Sequence, residues 1–453
     1  MRTILADISQ KIGQEVEIAG FVQTRRNLGK MVFFDIRDYS GLVQVICTPF
    51  DLSPEDYEKA KSVRSEFTVS IKGIVNPRNE KNVNPELLTG KVELLAKEFK
   101  ILSEAEPLPL DPADEKMGLD VYLDLLPLTL RTEKNRALFK IQAEIVNAFR
   151  NFLLAQGFTE FPCPKLVGES TEGGADVFSM EYFGHKAFLA QSPQFYKQIM
   201  VGVFERVFTI GNVYRAEKHA TTRHLNEYTS LDLEFGFIKD HIDVINLEVE
   251  FIKFLNEHLF KTSAKELQLW NFHPLLIPEK FPVLKLREVQ ELIKKETGVD
   301  HTQEPDLEPN EEQWIGEYAK KTWQSDFIFV THYPTKKRPV YTYPDETDPE
   351  FTKSFDLLFR GIEITTGGQR INDYQQLVEN IKKWGYNPDK FEFYLQAFKY
   401  GMPPEGGLAI GLERLTAKLL GIENVKRAAL FPRDLNRIDL QLSPPEYKQK
   451  EQL

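Results

Sequence analysis

The chain has 453 residues, a formal net charge of -11 and only two cysteines. This length predicts two or three domains, and the acidic balance excludes a global basic field for nucleic acid, although local basic patches remain possible. Cys47 and Cys163 match no zinc spacing and indicate a reducing compartment rather than a disulfide scaffold. Without a signal peptide or a run of about 20 apolar residues, the chain is expected to be cytoplasmic, with no membrane and no DNA as partners.

The first hundred residues contain four runs rich in β-branched and aromatic residues. The second run holds a hairpin with its turn at Asp38–Gly41, and a short helix with Ser53 as N-cap follows it. This order predicts a five-stranded barrel of the OB type over residues 1–104, with a β-sandwich as the alternative.

Prolines and acidic residues over 105–130 indicate a linker, and the pattern of apolar and polar residues changes from residue 131 onward. There, apolar residues at helical spacing run up to Gly157, which is predicted to follow the end of a helix. Short β-runs then alternate with helices. The segment 131–453 is therefore predicted to be an α+β domain built on an antiparallel sheet with flanking helices.

A strongly charged stretch, VYRAEKHATTRHLNEYTSLDLEF, joins two strand-like runs at residues 213–235. Arg215, leaving the first strand, could act as a bidentate partner for a phosphate. A solvated hairpin with ion pairs among its own side chains is the alternative.

A glycine-rich segment, GLAIGLERLTAKLLG, lies near the C-terminus. Gly411 precedes a predicted helix that carries Glu413 and Arg414 at its start. Glycine lets a backbone approach a ligand closely, and a helix N-terminus favours anions. Taken alone, the segment could equally be an ordinary strand-to-helix turn.

Three stretches in this order, GFTEFPCPKL, VYRAE with its TTRHLNE loop, and GLAIGLERL, resemble motifs one, two and three of class II aminoacyl-tRNA synthetases. The barrel in front is similar to that of the subgroup for aspartate, asparagine and lysine. The resemblance covers essentially the whole chain. It implies an enzyme that uses ATP and Mg²⁺ and binds tRNA, and a homodimer formed through 135–156 and the motif-one stretch with Pro164.

The segments STEGGADVF and FLAQSPQFYKQ resemble the aspartate enzymes of archaea and eukaryotes. The resemblance implies that Lys197 and Arg370 bind the side-chain carboxylate of L-aspartate; a solvated helix lysine is the bland alternative for Lys197. The remaining residues implied to bind aspartate are Glu172, Gln194, Arg215, Asp232 and Thr366.

The motif match also implies the ATP site. Arg215 would bind the α-phosphate, Arg223, His224 and Arg414 the γ-phosphate, and Tyr228 would stack on adenine. Arg215, Glu217 and Arg414 are the implied catalytic residues. The implied ATP-binding residues are Arg215, Ala216, Glu217, Arg223, His224, Leu225, Tyr228, Glu363, Gly411, Leu412, Glu413 and Arg414.

Asp356, Glu363 and Thr366 are expected to hold Mg²⁺, a hard ion that prefers oxygen ligands. The alternative is that the two carboxylates pair with Arg360 and Arg370. The implied reaction has two steps: aspartate attacks the α-phosphorus of ATP, and the terminal ribose hydroxyl of tRNA-Asp then attacks the adenylate. Positioning and charge neutralisation would drive it, so no general base is expected.

The barrel resembles the bacterial anticodon-binding domain. By that resemblance Phe33 would stack on the middle base of the anticodon beside Gln44. Arg26, Arg78 and Glu93 would make further contacts. Barrel packing is the alternative for Phe33.

The chain thus combines a bacterial-like barrel with an archaeal-like catalytic domain, and only about 170 residues (236–405) separate motifs two and three, too few for the large bacterial insertion. Gln23 and Leu28 stand where enzymes that also charge tRNA-Asn tend to have histidine, which favours tRNA-Asp alone. One alternative is an aspartate enzyme that charges both tRNAs. The others are an asparagine enzyme, a paralogue that forms asparagine, and a non-catalytic paralogue that binds tRNA.

Overall fold

The computed structural model describes residues 2–168, 177–218 and 221–442, and the chain divides into two compact units, Met1–Asp111 and Pro112–Leu453. Within the described ranges, every helix is too short or too polar to span a lipid bilayer. Both cysteines are free thiols.

The N-terminal unit is a closed five-stranded barrel with the strand order β1-β2-β3-β5-β4. The predicted OB-type barrel is confirmed, and the sandwich alternative is wrong. A 3₁₀ helix, Leu5–Lys11, precedes the barrel, and a second one, Glu80–Asn82, lies between the last two strands. The elements are β1 Glu15–Leu28, β2 Met31–Arg37, β3 Leu42–Cys47, α1 Pro54–Ser62, β4 Thr68–Pro77 and β5 Val92–Ser103.

Local sequence signals form this barrel as predicted. The Asp38 carboxylate accepts hydrogen bonds from the backbone N–H groups of Ser40 and Gly41, which closes the turn between β2 and β3. The hydroxyl of Ser53 caps α1 by accepting from the N–H of Asp56. Along β2, every second side chain is buried in the barrel core, so the intervening ones face outward.

The second unit contains eleven α-helices and eleven strands in its described residues. The helices are α2 Leu119–Asp124, α3 Leu126–Thr129, α4 Glu133–Ala155, α5 Gln194–Phe204, α6 His241–Thr262, α7 Ala264–Leu269, α8 Leu286–Thr297, α9 Pro309–Trp323, α10 Tyr374–Lys383, α11 Glu392–Lys399 and α12 Leu412–Leu419. The strands are β6 Thr159–Glu160, β7 Leu166–Val167, β8 Ser179–Tyr182, β9 His185–Leu189, β10 Arg206–Tyr214, β11 Glu227–Gly236, β12 Val283–Lys285, β13 Phe327–Thr331, β14 Ser354–Phe359, β15 Ile362–Arg370 and β16 Glu405–Gly411.

Eight of these strands form one sheet in the order β12-β13-β14-β15-β16-β11-β10-β6, and three form a small sheet, β7-β9-β8. In the large sheet only the β6–β10 and β12–β13 pairs are parallel. Together with the helices, this antiparallel sheet confirms the predicted α+β class. Three 3₁₀ helices, Thr335–Lys337, Pro388–Phe391 and Val425–Ala428, complete the unit.

The main hydrophobic core lies between the large sheet and the helices α4, α6 and α12. α4 ends as predicted, because Gly157 follows it with a positive φ of 80°. On β11, Leu231, Leu233 and Phe235 join this core. The alternating residues between them therefore face the other side of the sheet, where the site lies.

The predicted linker, 105–130, contains the two short helices α2 and α3. The Arg427 guanidinium lies 4.5 Å from the ring centroid of Tyr122 in α2 and donates to the carbonyl of Met117. The later part of this segment is therefore packed against the C-terminal part of the second unit.

A carboxyl group buried in the core, that of Glu248, leads to a prediction about stability. Glu248, on α6, is 2% exposed, and burial raises its pKa from 4.5 to about 8, which the Thr365 hydroxyl only partly offsets. Because the folded pKa lies above the unfolded one, the folded state binds more protons, and the free energy of unfolding falls as the pH rises from about 4.5 to about 8.

We therefore expect the free energy of unfolding of Glu248→Gln to exceed that of the wild type by on the order of 4 kcal/mol at a pH of about 8.5. Denaturant unfolding curves of the two proteins measure this difference. The difference should shrink to less than about 1 kcal/mol at a pH of about 5, where the wild-type side chain is also neutral in the folded state. Glu250→Gln, at an exposed position of the same helix, is the matched control. An equal stability difference at both pH values would contradict the assignment.

Candidate active site

A cleft with about 680 Å³ of space, partly open to solvent, lies between β11, β15, β16 and the start of α12. The lining residues are Arg215, Glu217, Arg223, His224, Leu225, Tyr228, Ser230, Glu363, Ile364, Thr366, Ala409, Gly411, Glu413, Arg414 and Val425. The cleft thus brings the charged hairpin and the glycine-rich segment together, although they lie far apart in sequence.

The loop between β10 and β11 is held at its base by Asn226. Its side-chain amide donates to the carbonyl oxygens of Arg215 at 2.7 Å and Glu217 at 3.0 Å, and its own carbonyl accepts from the Arg215 N–H at 2.9 Å. The Arg215 guanidinium lies 5.9 Å from the ring centroid of Tyr228. The backbone on which Arg215 is carried is therefore well fixed at the edge of the cleft.

The charges of the hairpin do contact one another, as the solvated-hairpin alternative supposed. Glu217 lies 4.0 Å from Arg215 and 3.6 Å from the His224 ring. All three, however, line the cleft rather than an open surface. The geometry therefore favours a ligand site over a plain solvated hairpin.

Arg414 crosses the cleft from the start of α12. Its guanidinium donates to the carbonyl of Arg223 at 3.2 Å and to the carbonyl of Glu363 at 3.1 Å, and it lies 3.7 Å from the Glu363 carboxylate. Burial alone would raise the pKa of Glu363, but Arg414 and a hydrogen bond from Thr366 outweigh burial and lower it. Glu363 is thus held as a carboxylate in the cleft.

Glu413, the neighbour of Arg414, closes one wall of the cleft. Its two carboxylate oxygens accept from the backbone N–H of Thr229 at 3.0 and 3.1 Å. Burial raises the pKa of Glu413 to about 7, and the hydrogen bond from Thr229 offsets part of that rise. Glu413 therefore fastens the start of α12 to β11.

The three predicted metal ligands do not all reach the cleft. Glu363 and Thr366 line it together, and the Thr366 hydroxyl donates to the Glu363 carboxylate at 2.8 Å. Asp356 is buried and lies 2.6 Å from Arg338, outside the cleft lining. Within the described residues no group of three or more His, Cys, Asp and Glu side chains could hold a metal ion by itself.

The alternative partners expected for these carboxylates are wrong. Asp356 pairs with Arg338, and Glu363 faces Arg414. Arg360, at the turn between β14 and β15, pairs instead with Asp326 at 2.9 Å. The turn between β14 and β15 therefore directs the Arg360 side chain towards Asp326 and away from Glu363.

A buried ionic network lies beside the cleft. Lys197, on α5, is 1% exposed, and its ammonium lies 3.0 Å from Asp232 and 3.1 Å from Glu234. Arg370 donates to Glu234 at 2.8 Å and approaches the side-chain oxygen of Gln194 at 3.5 Å. The solvated-lysine alternative for Lys197 is therefore wrong.

Asp232 connects this network to the cleft, because Ser230, which lines the cleft, donates to its carboxylate. Four of the residues predicted to contact aspartate, Gln194, Lys197, Asp232 and Arg370, thus belong to one buried cluster. Thr366 and Arg215 lie in the adjoining cleft.

Sequence reasoning missed Glu234, which bridges both buried cations. A Cβ at Gly407 would lie 2.2 Å from Glu234 Oε2 and also 2.2 Å from the backbone carbonyl oxygen of Leu233. A glycine is therefore required at position 407. The period of two along β11, with polar side chains at Ser230, Asp232 and Glu234 inside an apolar strand, was the available signal.

Two of the residues predicted to bind ATP do not line the cleft. Ala216 follows Arg215 without lining the cleft, and the Leu412 side chain is buried in the main core. Leu412 can therefore meet a ligand only through its backbone. Glu172 lies outside the described residues.

The barrel unit carries a second cluster of predicted residues on the outward face of its sheet. Phe33 is half-buried and lies between Arg26 of β1 and Ile46 of β3 in the strand register. The Arg26 guanidinium lies 3.4 Å from the Asp35 carboxylate. The alternation along β2 is confirmed, because Val32 and Phe34 fill the core while Phe33 does not.

The polar side chains beside Phe33 form a continuous chain of contacts. Gln44 accepts from Arg26 at 3.2 Å and donates to Glu93 at 3.1 Å, and Arg78 lies 3.8 Å from Glu93. Burial raises the pKa of Glu93, which Arg78 and Gln44 partly offset. All five predicted anticodon residues are thus brought together on one face of the barrel.

Comparison with known proteins identifies the architecture. Residues 119–435 match the family of class II tRNA synthetases for D, K and N, and residues 16–102 match the OB-fold nucleic acid binding domain. The chain belongs to the class II tRNA synthetases, as the motifs predicted.

Among its relatives, the chain is 45% identical to the aspartate–tRNA(Asp/Asn) ligase of Thermus thermophilus, covering 97% of this chain and 100% of that protein. It is 43% identical to the protein of the same name from Deinococcus radiodurans, with 96% and 98% covered. The structure is similar to asparaginyl-tRNA synthetase from Pyrococcus horikoshii, with a TM-score of 0.89, 29% identity, and 97% and 99% of the two chains covered.

Proposed function

We propose that this chain is an aspartate–tRNA ligase that activates L-aspartate with ATP and transfers it to the 3′ end of tRNA-Asp. The observation that carries the proposal is the pair of buried cations, Lys197 and Arg370, beside the cleft. A substrate carboxylate needs such partners in a desolvated pocket, because an unpaired buried charge is strongly unfavourable.

In the first step, Arg215 holds the α-phosphate of ATP and the aspartate carboxylate so that a carboxylate oxygen attacks the phosphorus. The P–O bond to the leaving pyrophosphate breaks, and Arg223 and Arg414 neutralise its charge. Tyr228 stacks on the adenine, and Asp232 faces the substrate ammonium. Positioned cations of this kind lower the barrier without a protein nucleophile.

In the second step, the terminal ribose hydroxyl of tRNA attacks the adenylate carbonyl and AMP leaves. Glu217, in the loop between β10 and β11, would meet either the adenine of ATP or the terminal nucleotide of the tRNA. Lys197, Arg370, Gln194 and Glu172 keep the aspartyl group in place during the transfer.

Glu363 and Thr366 fit a Mg²⁺ ion, because both present oxygen donors in the cleft. Mg²⁺ is commonly held by one or two carboxylates together with substrate phosphates and water, so a full protein cage is not needed. The ion would neutralise phosphate charge when bound. Asp356 is not part of this arrangement, because it pairs with Arg338 outside the cleft lining.

Exchange of labelled pyrophosphate into ATP tests the amino acid. We expect exchange that depends on aspartate and falls by at least about 10²-fold with asparagine or lysine, since neither has a side-chain carboxylate to pair with the two cations. Preferred exchange with asparagine would support an asparagine enzyme instead. No exchange with any amino acid would support a non-catalytic paralogue.

Two candidates remain for the tRNA specificity of the enzyme: tRNA-Asp alone, or tRNA-Asp together with tRNA-Asn. Gln23 and Leu28 on β1 favour tRNA-Asp alone. The names of the two relatives described above favour an enzyme that also charges tRNA-Asn. Charging assays with both transcripts distinguish the two, and charging of tRNA-Asn would imply a further enzyme that amidates the product.

We further propose that the outward face of the barrel with Phe33, Gln44, Arg26, Arg78 and Glu93 reads the anticodon. An aromatic ring flanked by amide and charged groups suits a splayed RNA base. The amide of Gln44 and the carboxylate of Glu93 offer the hydrogen bonds that select its edge.

Phe33→Ala is accordingly expected to lower kcat/KM for charging tRNA-Asp by about 10- to 100-fold, the effect of losing one base stack. Pyrophosphate exchange, which needs no tRNA, should remain unchanged. Phe50→Ala, at an 85% exposed aromatic of the same unit, is the matched control. An equal loss in both variants, or a loss of exchange, would argue for barrel packing.

The chain is also proposed to act in the cytoplasm as a homodimer formed through α4 and the motif-one stretch with Pro164. Leu154 and Leu166, about half exposed, offer apolar surface there. Light scattering of the purified protein should give twice the chain mass, and the chain mass itself would contradict the dimer.

A further inference from the structure

Glu312 connects two parts of the cleft although it belongs to none of the three motifs. It lies in the first turn of α9 and is 9% exposed. Its Oε2 atom lies 2.5 Å from Arg223 Nη2 and accepts a hydrogen bond from the backbone N–H of Glu363 at 3.1 Å. One carboxylate oxygen therefore contacts both the motif-two loop and β15.

The helix that carries Glu312 is fixed against the β14–β15 hairpin. A Cβ placed on Gly316 of α9 would lie 2.6 Å from the N atom of Gly361, and one placed on Gly361 would lie 2.8 Å from the Cα of Gln313. Gly361 has a positive φ of 75°. Two backbones at this distance cannot slide past each other, so Glu312 is presented from a rigid element.

The backbone of Arg223 is held by a second residue, Arg414. Its carbonyl accepts from Arg414, which also donates to the carbonyl of Glu363. Arg414 thus fixes the main chain at Arg223, while Glu312 fixes its guanidinium. The side chain of an unpaired arginine would sample several rotamers. Ordering that side chain when ATP binds would cost affinity.

We propose that Glu312 is a positioning residue for the activation step, which holds the Arg223 guanidinium at the cleft and ties it to the strand that carries Glu363. The inference rests on the proposed function, in which Arg223 binds a phosphate of ATP. Glu312 itself touches no substrate and acts through Arg223.

Exchange kinetics with purified full-length Glu312→Gln and Glu312→Ala test this role. We expect the KM for ATP to rise by about tenfold or more, as for a lost charge-assisted hydrogen bond, while the KM for aspartate changes by less than about threefold. Glu312→Asp, which keeps the charge, should recover part of the loss. Glu317→Ala, at an exposed position of α9, is the matched control.

A double-mutant cycle with Arg223→Ala separates positioning from a general loss of structure. If Glu312 acts through Arg223, Glu312→Gln should change the KM for ATP little in the Arg223→Ala background. Additive effects, an unchanged KM, or a lower KM for ATP in Glu312→Gln would overturn the proposal. The wild type in the same assay tests the proposed function separately, because its activity does not depend on the outcome for Glu312.

Discussion

Arg215→Ala is expected to abolish aspartate-dependent exchange of pyrophosphate into ATP, with a loss of at least about 10³-fold. Arg215 follows the last residue of β10. Its backbone N–H donates to the carbonyl of Asn226, and its carbonyl accepts from the side-chain amide of Asn226. Its guanidinium lines the cleft above Tyr228. The loss should be so large because a preorganised charge at the reacting phosphate stabilises the transition state more than the ground state.

Arg215→Lys provides the matched comparison. Lysine keeps the charge but loses the planar fork that binds two oxygens at once, so partial activity is expected, between that of wild type and that of Arg215→Ala. Thermal unfolding of both variants should match the wild type to within a few degrees, because Arg215 is partly exposed at the cleft edge. Full exchange in Arg215→Ala would contradict the assigned role.

Lys197→Met is expected to raise the KM for aspartate by at least about 10²-fold and to destabilise the protein by about 3–5 kcal/mol. The substitution keeps the volume of the side chain but removes its charge. Asp232 and Glu234, both fully buried, would then be left with fewer cationic partners than carboxylates. Both the substrate carboxylate and the folded state should therefore be affected.

Asparagine separates these two effects. It has no side-chain carboxylate, so loss of the Lys197 charge should reduce exchange with aspartate far more than any exchange with asparagine. Damage to folding alone would lower both equally. Lys382→Met, at an exposed position of α10, should leave both the KM for aspartate and stability unchanged. An unchanged preference for aspartate in Lys197→Met would remove Lys197 from the specificity pocket.

Local signals in the sequence were sufficient for much of the fold. The turn at Asp38, the cap at Ser53 and the end of α4 at Gly157 each depend on a few adjacent residues, and all three form as predicted. The order of the three motifs likewise indicated which distant segments meet in the cleft. These features are encoded within short windows, where residue type and spacing act directly.

The partners within the site could not be predicted in the same way. Glu312 lies 89 residues from Arg223, and Arg338 lies 18 residues from Asp356, so tertiary packing alone brings them together. The alternative that Asp356 and Glu363 pair with Arg360 and Arg370 is likewise wrong for Arg360, which pairs with Asp326. Glu234 was accessible from the polar alternation on β11, but burial was needed to identify it as the bridge between Lys197 and Arg370.

The most direct test of the central claim is the attachment of ¹⁴C-labelled aspartate to tRNA-Asp and tRNA-Asn transcripts by the purified chain in the presence of ATP and Mg²⁺. We predict that tRNA-Asp becomes acid-precipitably labelled, and that the tRNA-Asn transcript reports whether Gln23 and Leu28 restrict the enzyme to one tRNA. Labelling of neither transcript, under conditions in which both are charged by a control synthetase, would contradict the proposed function.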